Sequence, residues 1–217
     1  MLFFALFGFL FLSTQYLQFV LGYSPAAAGL RVLPYAGAMI VFAPLSAKLV
    51  LHFGTKRVVT TGMLLFSAGL AVAATMTTAS GYGRLAVALL LMGAGMGLAG
   101  APATESILGA LPPQRANIGS AVNDTTRELG GALGVAIVGS IMSSLYGTRL
   151  PELGAAVRLS DGIADAAREA FVHAMARASI VVALVAAFGA FIAWRYLPAR
   201  EAETAAETAR SPLAVEA

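Results

Sequence analysis

Cysteine is absent from the 217 residues, so no disulfide can staple the fold and no thiolate can ligate a metal. Charge is scarce as well. Asp, Glu, Lys and Arg make up 12% of the chain, against roughly a quarter in a soluble domain. The net charge of +3 is small and scattered. No basic arm interleaved with aromatics occurs, and a nucleic-acid partner is not expected. Histidine occurs only at His52 and His173. The order of apolar runs sets them at opposite helix ends, so a shared metal is not expected. There is no HExxH, Walker A or GxSxG motif. Catalytic residues, an ATP-hydrolysing site and a bound cofactor are therefore not expected.

Apolar sequence is what the chain has instead: 59% of its residues are hydrophobic and its mean hydropathy is +0.81. A soluble domain of this size cannot hide so much apolar surface; a bilayer is the solvent that fits. The 23 glycines and 9 prolines would be costly in soluble helices but are commoner in membrane ones. A span needs about 20 mostly apolar residues. This predicts an all-α membrane protein with six transmembrane helices, near residues 2–21, 29–51, 58–78, 84–108, 118–145 and 172–197. Turn chemistry separates them: Gly22-Tyr23-Ser24-Pro25, Gly54-Thr55-Lys56-Arg57, Ser80-Gly81-Tyr82-Gly83 and Leu111-Pro112-Pro113-Gln114-Arg115. The connection 147–171 carries Arg149, Glu152, Arg158, Asp161, Asp165, Arg168 and Glu169. From Ser160 it reads as an amphipathic helix at the interface. Residues 198–217, rich in Ala, Glu and Thr, read as a disordered cytoplasmic tail.

Lys48, Lys56, Arg57, Arg115, Arg195 and Arg200 fall on one side of a six-span topology, together with both termini. Arg31, Arg84, Arg149, Arg158 and Arg168 fall on the other. The tight Lys48/Lys56/Arg57 group favours the first side as cytoplasmic, in a multi-pass protein of the cell inner membrane. The first apolar run is too long for a signal peptide and no basic residue precedes it. The chain begins inside that run, as if upstream sequence had been removed.

Charged residues within spans are expensive and are functional candidates by default. Glu105 lies near the cytoplasmic end of the fourth helix; Asp124, Arg127 and Glu128 share a face of the fifth. They read either as a proton-sensitive gating network, in which protonation frees Arg127 to change partners, or as an interfacial ion cluster orienting a helix end. A proline kink near Pro102 is expected beside Glu105. Gly93/Gly97 and Gly130/Gly134 are GxxxG pairs that permit close helix approach, for helices that rock or for static packing. Thr14, Gln15 and Gln18 in the first helix and Asn123 in the fifth are candidates for a substrate cavity, or for interhelical hydrogen bonds.

The runs Pro102-Ala-Thr-Glu-Ser-Ile-Leu-Gly-Ala-Leu-Pro-Pro and Gly119-Ser-Ala-Val-Asn-Asp-Thr-Thr-Arg-Glu-Leu-Gly-Gly-Ala-Leu-Gly-Val-Ala-Ile resemble the fourteen-span drug:proton antiporters of the major facilitator superfamily, the EmrB/QacA type. So does the stretch from Tyr16 to Pro34. The likeness covers about residues 1–197 and is to the C-terminal half. The loop Ala47–Arg57 resembles a degenerate copy of the superfamily's cytoplasmic GxLaDrxGrk loop. Gly54, Lys56 and Arg57 keep the pattern, while Leu51 stands where the acid is expected. The resemblance implies proton-driven efflux of amphipathic small molecules by alternating access, between two six-helix halves. It implies partners in membrane lipid, protons, the substrate, and the N-terminal half or a second copy. It also implies that this chain is a C-terminal fragment, a split gene product or the result of a misplaced start. The alternative is a non-transporting regulatory or scaffold subunit, whose polar groups would all be satisfied internally. An intramembrane enzyme would need a catalytic constellation that the sequence lacks.

Overall fold

The computed structural model describes residues 1–109, 116–156 and 160–197, with side chains described for 1–109, 117–148 and 165–197. The expected tail at 198–217, the break at 111–115, and the side chains of Arg149, Glu152, Arg158 and Asp161 lie outside the described residues. All regular structure among the described residues is helical. Helix α1 is Leu2–Gln15, continued by a π-helical turn, Tyr16–Val20; α2 is Pro25–Phe53, α3 Thr55–Ala74, α4 Tyr82–Gly109, α5 Ala116–Ala156 and α6 Ser160–Tyr196. Six stretches among the described residues are long and apolar enough to cross a membrane.

The helix ends follow from turn chemistry. Ser24 caps α2 by accepting a hydrogen bond from the Ala27 amide at 3.3 Å, with Pro25 in the first turn. Gly54 ends α2 and opens α3 without a linker. Its φ of +81° is a conformation that L side chains rarely adopt. The largest departures from the sequence expectation are in α5 and α6. The region 147–171 is not a loop followed by a separate interfacial helix: α5 runs on to Ala156, and α6 begins at Ser160. The reason is that charged residues interrupt hydropathy, not helicity. Arg, Glu, Ala and Leu are all good helix formers, so each helix continues beyond its apolar span.

Packing groups the helices as two triplets. Helix α1 packs on α5 and α6, while α4 packs on α2 and α3. Exchanging α1 with α4, α2 with α5 and α3 with α6 maps each of these pairings onto another; the α3–α6 contact joins the triplets. Such internal repetition is common in secondary transporters. Between lipid-embedded helices there is no hydrophobic drive, so close backbone approach must supply the attraction. Helix α4 supplies it on two sides. Gly93 lies against the Tyr35 carbonyl and Gly97 against Phe42 and Ala43, all on α2. Gly95, two residues round the helix from each, lies against Gly62 and Phe66 of α3. Residues 92–99 are all buried as a result. A second apolar cluster gathers Val59, Met63, Ala99, Ala190 and Ala193 where α3, α4 and α6 meet.

Candidate functional site

The sequence candidates do not converge on one place. At one end of the bundle, Met1, the start of α3, the end of α4, the start of α5 and the end of α6 surround a cavity of about 280 Å³. Asn123 and Arg127 line it, with Thr104 and Thr126. Asn123 is buried, while Asp124, Arg127 and Glu128 are exposed. Arg127 reaches Asp124 at 3.9 Å, and its guanidinium carbon sits 4.5 Å from the centre of the Phe3 ring. Glu128 makes no ion pair with a described residue. It follows Arg127 directly, and adjacent helical residues point about 100° apart. Glu105 is exposed near the end of α4; its neighbour Thr104 lines the cavity and Glu105 does not. Pro102, one turn earlier, is buried.

Towards the other end lies a larger cavity, of about 610 Å³. Gln15 lines it, twelve positions beyond Phe3, or about 18 Å along the axis at 1.5 Å per residue. Three helix faces make this cavity. From α1 and its π turn come Phe11, Gln15 and Phe19; from α5 come Met142, Ser143 and Tyr146; from α6 come Arg168 and Phe171. Each set follows helical spacing, but the α1 set meets the other two from more than a hundred residues away in sequence. Gln18 is half-buried and is not part of this wall. Thr14 returns its hydroxyl to its own helix, donating to the Leu10 and Phe11 carbonyls at 3.1 and 3.0 Å.

At this same end a polar latch ties the triplets together. The Tyr16 ring is fully buried in the π turn and its hydroxyl donates to the Ser80 carbonyl at 2.6 Å. Arg84 donates to the Thr75 carbonyl and to Ser80 Oγ. Arg31 stacks 3.6 Å from the centre of the Tyr23 ring, and Tyr82 donates to the Arg31 carbonyl at 2.9 Å. In the sequence, Arg31 and Arg84 stand out only as charges flanking the spans. Arg84 is held by the loop that precedes its own helix, and Arg31 by Tyr23 of the preceding turn and Tyr82 of α4.

The turn Gly54, Lys56, Arg57 stands at the end opposite the latch. Lys56 Nζ lies 5.6 Å from the Trp194 ring centre on α6, and Arg57 borders an apolar recess of about 320 Å³ with Phe53 and Leu98. His52 is spent locally, its Nδ1 2.9 Å from the Lys48 carbonyl. The second glycine pair divides. Gly134 is pressed against the Phe4 carbonyl of α1, whereas a Cβ on Gly130 would meet only ordinary contacts at 3.5 Å. A Cβ added at Gly131, adjacent to Gly130, would come within 2.9 Å of the Phe7 ring.

Glycine-seamed apolar helices, an internal twofold pattern of pairings and a cavity lined by aromatics with sparse polar groups define a multi-pass membrane protein of the transporter type. The chain belongs to the Major Facilitator Superfamily, whose sequence profile matches residues 1–215. It is 34% identical over 156 residues to the tetracenomycin C resistance and export protein of Streptomyces glaucescens, covering 72% of this chain and 29% of that protein. It is 34% identical over 156 residues to the multidrug resistance protein Stp of Mycobacterium tuberculosis, covering 71% and 29%. Against the multidrug efflux pump LfrA of Mycolicibacterium smegmatis it is 26% identical over 203 residues, covering 83% and 40%. The chain thus spans well under half the length of the curated relatives it matches.

Proposed function

We propose that the chain is one half of a proton-coupled multidrug efflux transporter, the C-terminal half of a protein of the fourteen-span branch. It exports amphipathic small molecules by alternating access against a second six-helix unit, carried on the same or another polypeptide. The observation that carries this reading is uneven cover. The most apolar stretch of α4 is 67% buried within the chain, but those of α5 and α2 are 22% and 11% buried. Helices α2 and α5 hold equivalent positions in the two triplets, so the two poorly covered helices are related by the internal pattern. That is the arrangement expected if both present a face to another unit. The names of the relatives, resistance and export proteins, support the direction of transport.

In this reading the Lys48/Lys56/Arg57 side is cytoplasmic, with both termini. Asp124 and Arg127 form a pair that protonation of the carboxylate would open. Glu105, also exposed at that end, is the second candidate for the proton. The test is uptake of an amphipathic fluorescent dye into inside-out vesicles of the native membrane, driven by an imposed pH gradient and compared with vesicles from a strain lacking the chain. Gradient-dependent uptake that requires the chain is the expected result; no difference between the strains overturns the transport reading. Asp124→Asn or Glu105→Gln is expected to flatten the pH dependence of uptake. An unchanged dependence in both variants removes these acids from the coupling step.

A further inference from the structure

The cavity between α1, α5 and α6 has a charge pattern that bears on what can occupy it. Its volume, about 610 Å³, is that of a site for a drug-sized ligand. Its walls are mostly apolar, with the Phe11, Phe19 and Phe171 rings among them. Phe19 and Phe171 face each other across the α1–α6 boundary with ring centres 6.5 Å apart and planes tilted by 58°. Phe19 is 68% exposed, so that ring has room to cover a ligand. The polar groups among the described lining residues are Gln15, Ser143, Tyr146 and Arg168, and no carboxylate is among them. Among the described residues, Arg168 is its one formal charge.

Arg168 is already in contact with an acid, Asp165 at 3.2 Å. Both side chains are more than half exposed, at 51% and 79%. An exposed pair of this kind is worth little in water, so a better-desolvated anion can displace Asp165. A ligand anion held at the cavity mouth would gain a charge-assisted, potentially bidentate bond to the guanidinium. A ligand cation in the same place would lose hydration beside a like charge, with no acid among the described lining residues to compensate it. Planar aromatic bodies suit the ring-lined interior, because aromatic pairs gain from offset or edge-to-face contact beyond area alone.

We propose that this cavity is a binding site for anionic aromatic amphiphiles, with Arg168 holding the anion and the Phe11, Phe19 and Phe171 rings holding the body. All the residues named here belong to this chain, and the binding test needs neither a second unit nor a gradient, so it stands or falls separately from the transport reading. The neutral groups Gln15, Ser143 and Tyr146 give it tolerance for uncharged analogues. Selection against cations comes from Arg168 alone.

The test uses three probes with one ring system: anthracene-9-carboxylate, its carboxamide, and 9-(aminomethyl)anthracene. Each is titrated against the purified chain in phosphatidylcholine nanodiscs, with partition into empty nanodiscs subtracted. The carboxylate is expected to bind roughly tenfold more tightly than the carboxamide, the size of one good bond to a charged group, and the amine more weakly than either. Arg168→Gln is expected to bring the carboxylate down to the carboxamide and leave the carboxamide unchanged. Gly139→Leu is expected to weaken all three, since Gly139 lines the cavity and a Cβ there meets only the Phe11 ring, at 3.5 Å. Equal binding of amine and carboxylate, or an Arg168→Gln variant that keeps the wild-type order, overturns the proposal. Because Arg168 is exposed, that variant is not expected to unfold, and an unchanged melting temperature checks this. Repeating the titration with phosphatidylglycerol in the disc assigns the source of the anion. Loss of carboxylate binding means that a lipid headgroup fills the site; retention means that a free amphiphile does.

Discussion

Helices α4 and α5 have similar apolar character and opposite fates. Each carries a run of glycines, and each packs through them against helices of its own triplet. Yet α4 is held on two faces, by α2 through Gly93 and Gly97 and by α3 through Gly95, so that even Leu89 and Met92 are fully buried. Helix α5 is held tightly on one side, by α1 through Gly134 and Gly131. It leaves Ile118, Val122, Leu129, Leu133 and Ile137 uncovered. Apolar composition therefore says that a helix lives in the membrane, and not whether its neighbours are protein or lipid. The number of glycine-smoothed faces discriminates better, because each such face marks a place where another backbone approaches.

The strongest way to break this comparison is to truncate matched leucines. Leu89→Ala on α4 is expected to cost about 2–5 kcal/mol, the range for a buried leucine leaving a cavity. Leu133→Ala, at a side chain 54% exposed, is expected to stay within about 0.5 kcal/mol. Reversible denaturation of the purified chain in detergent measures both. If the two costs are equal, α5 is covered in a way that the packing described above does not provide. A finer comparison uses two glycines one turn apart on α5. Gly134→Ala puts a methyl group into the Phe4 carbonyl and is expected to lose about 1–3 kcal/mol. Gly130→Ala meets only ordinary contacts and is expected to gain up to about 1 kcal/mol from helix propensity. Opposite signs in melting temperature would establish that the α1–α5 seam closes at Gly134 and not one turn earlier. The smallest effect belongs to the exposed ion pair. Asp124→Asn is expected to change stability by about 0–1 kcal/mol, so any larger functional change in that variant reflects the proton and not the fold.

Several features of the fold are legible in the residues. The six apolar runs, the Ser24-Pro25 start of α2 and the Gly54 turn are local signals, since each depends on a few consecutive residues and their solvent or dihedral requirements. The family is legible too, in the long runs around Pro102 and Gly119. The helix ends near 147–171 are less so, because a hydropathy break is not a helix break. Among the site candidates, Gln15 and Asn123 share a sequence signal, a polar group in an apolar helix, but they stand in different cavities at opposite ends. Phe11, Ser143, Arg168 and Phe171 carried no signal that would group them. Arg168 in particular sits in a charged stretch and reads as a solvated surface residue until α1 and α5 are put beside it.

The sequence by itself determined the solvent, the number of spans, the turns between them and the superfamily, because transfer free energy and backbone dihedral preference are properties of short segments. Only the tertiary structure decided which glycines seal an interface, which helices stay open, and that Gln15 and Arg168 face one cavity while Asn123 and Arg127 face another. Those outcomes depend on which backbone lies across from a given face, and in a membrane, where every helix is apolar, that choice is made by shape and close contact between distant segments.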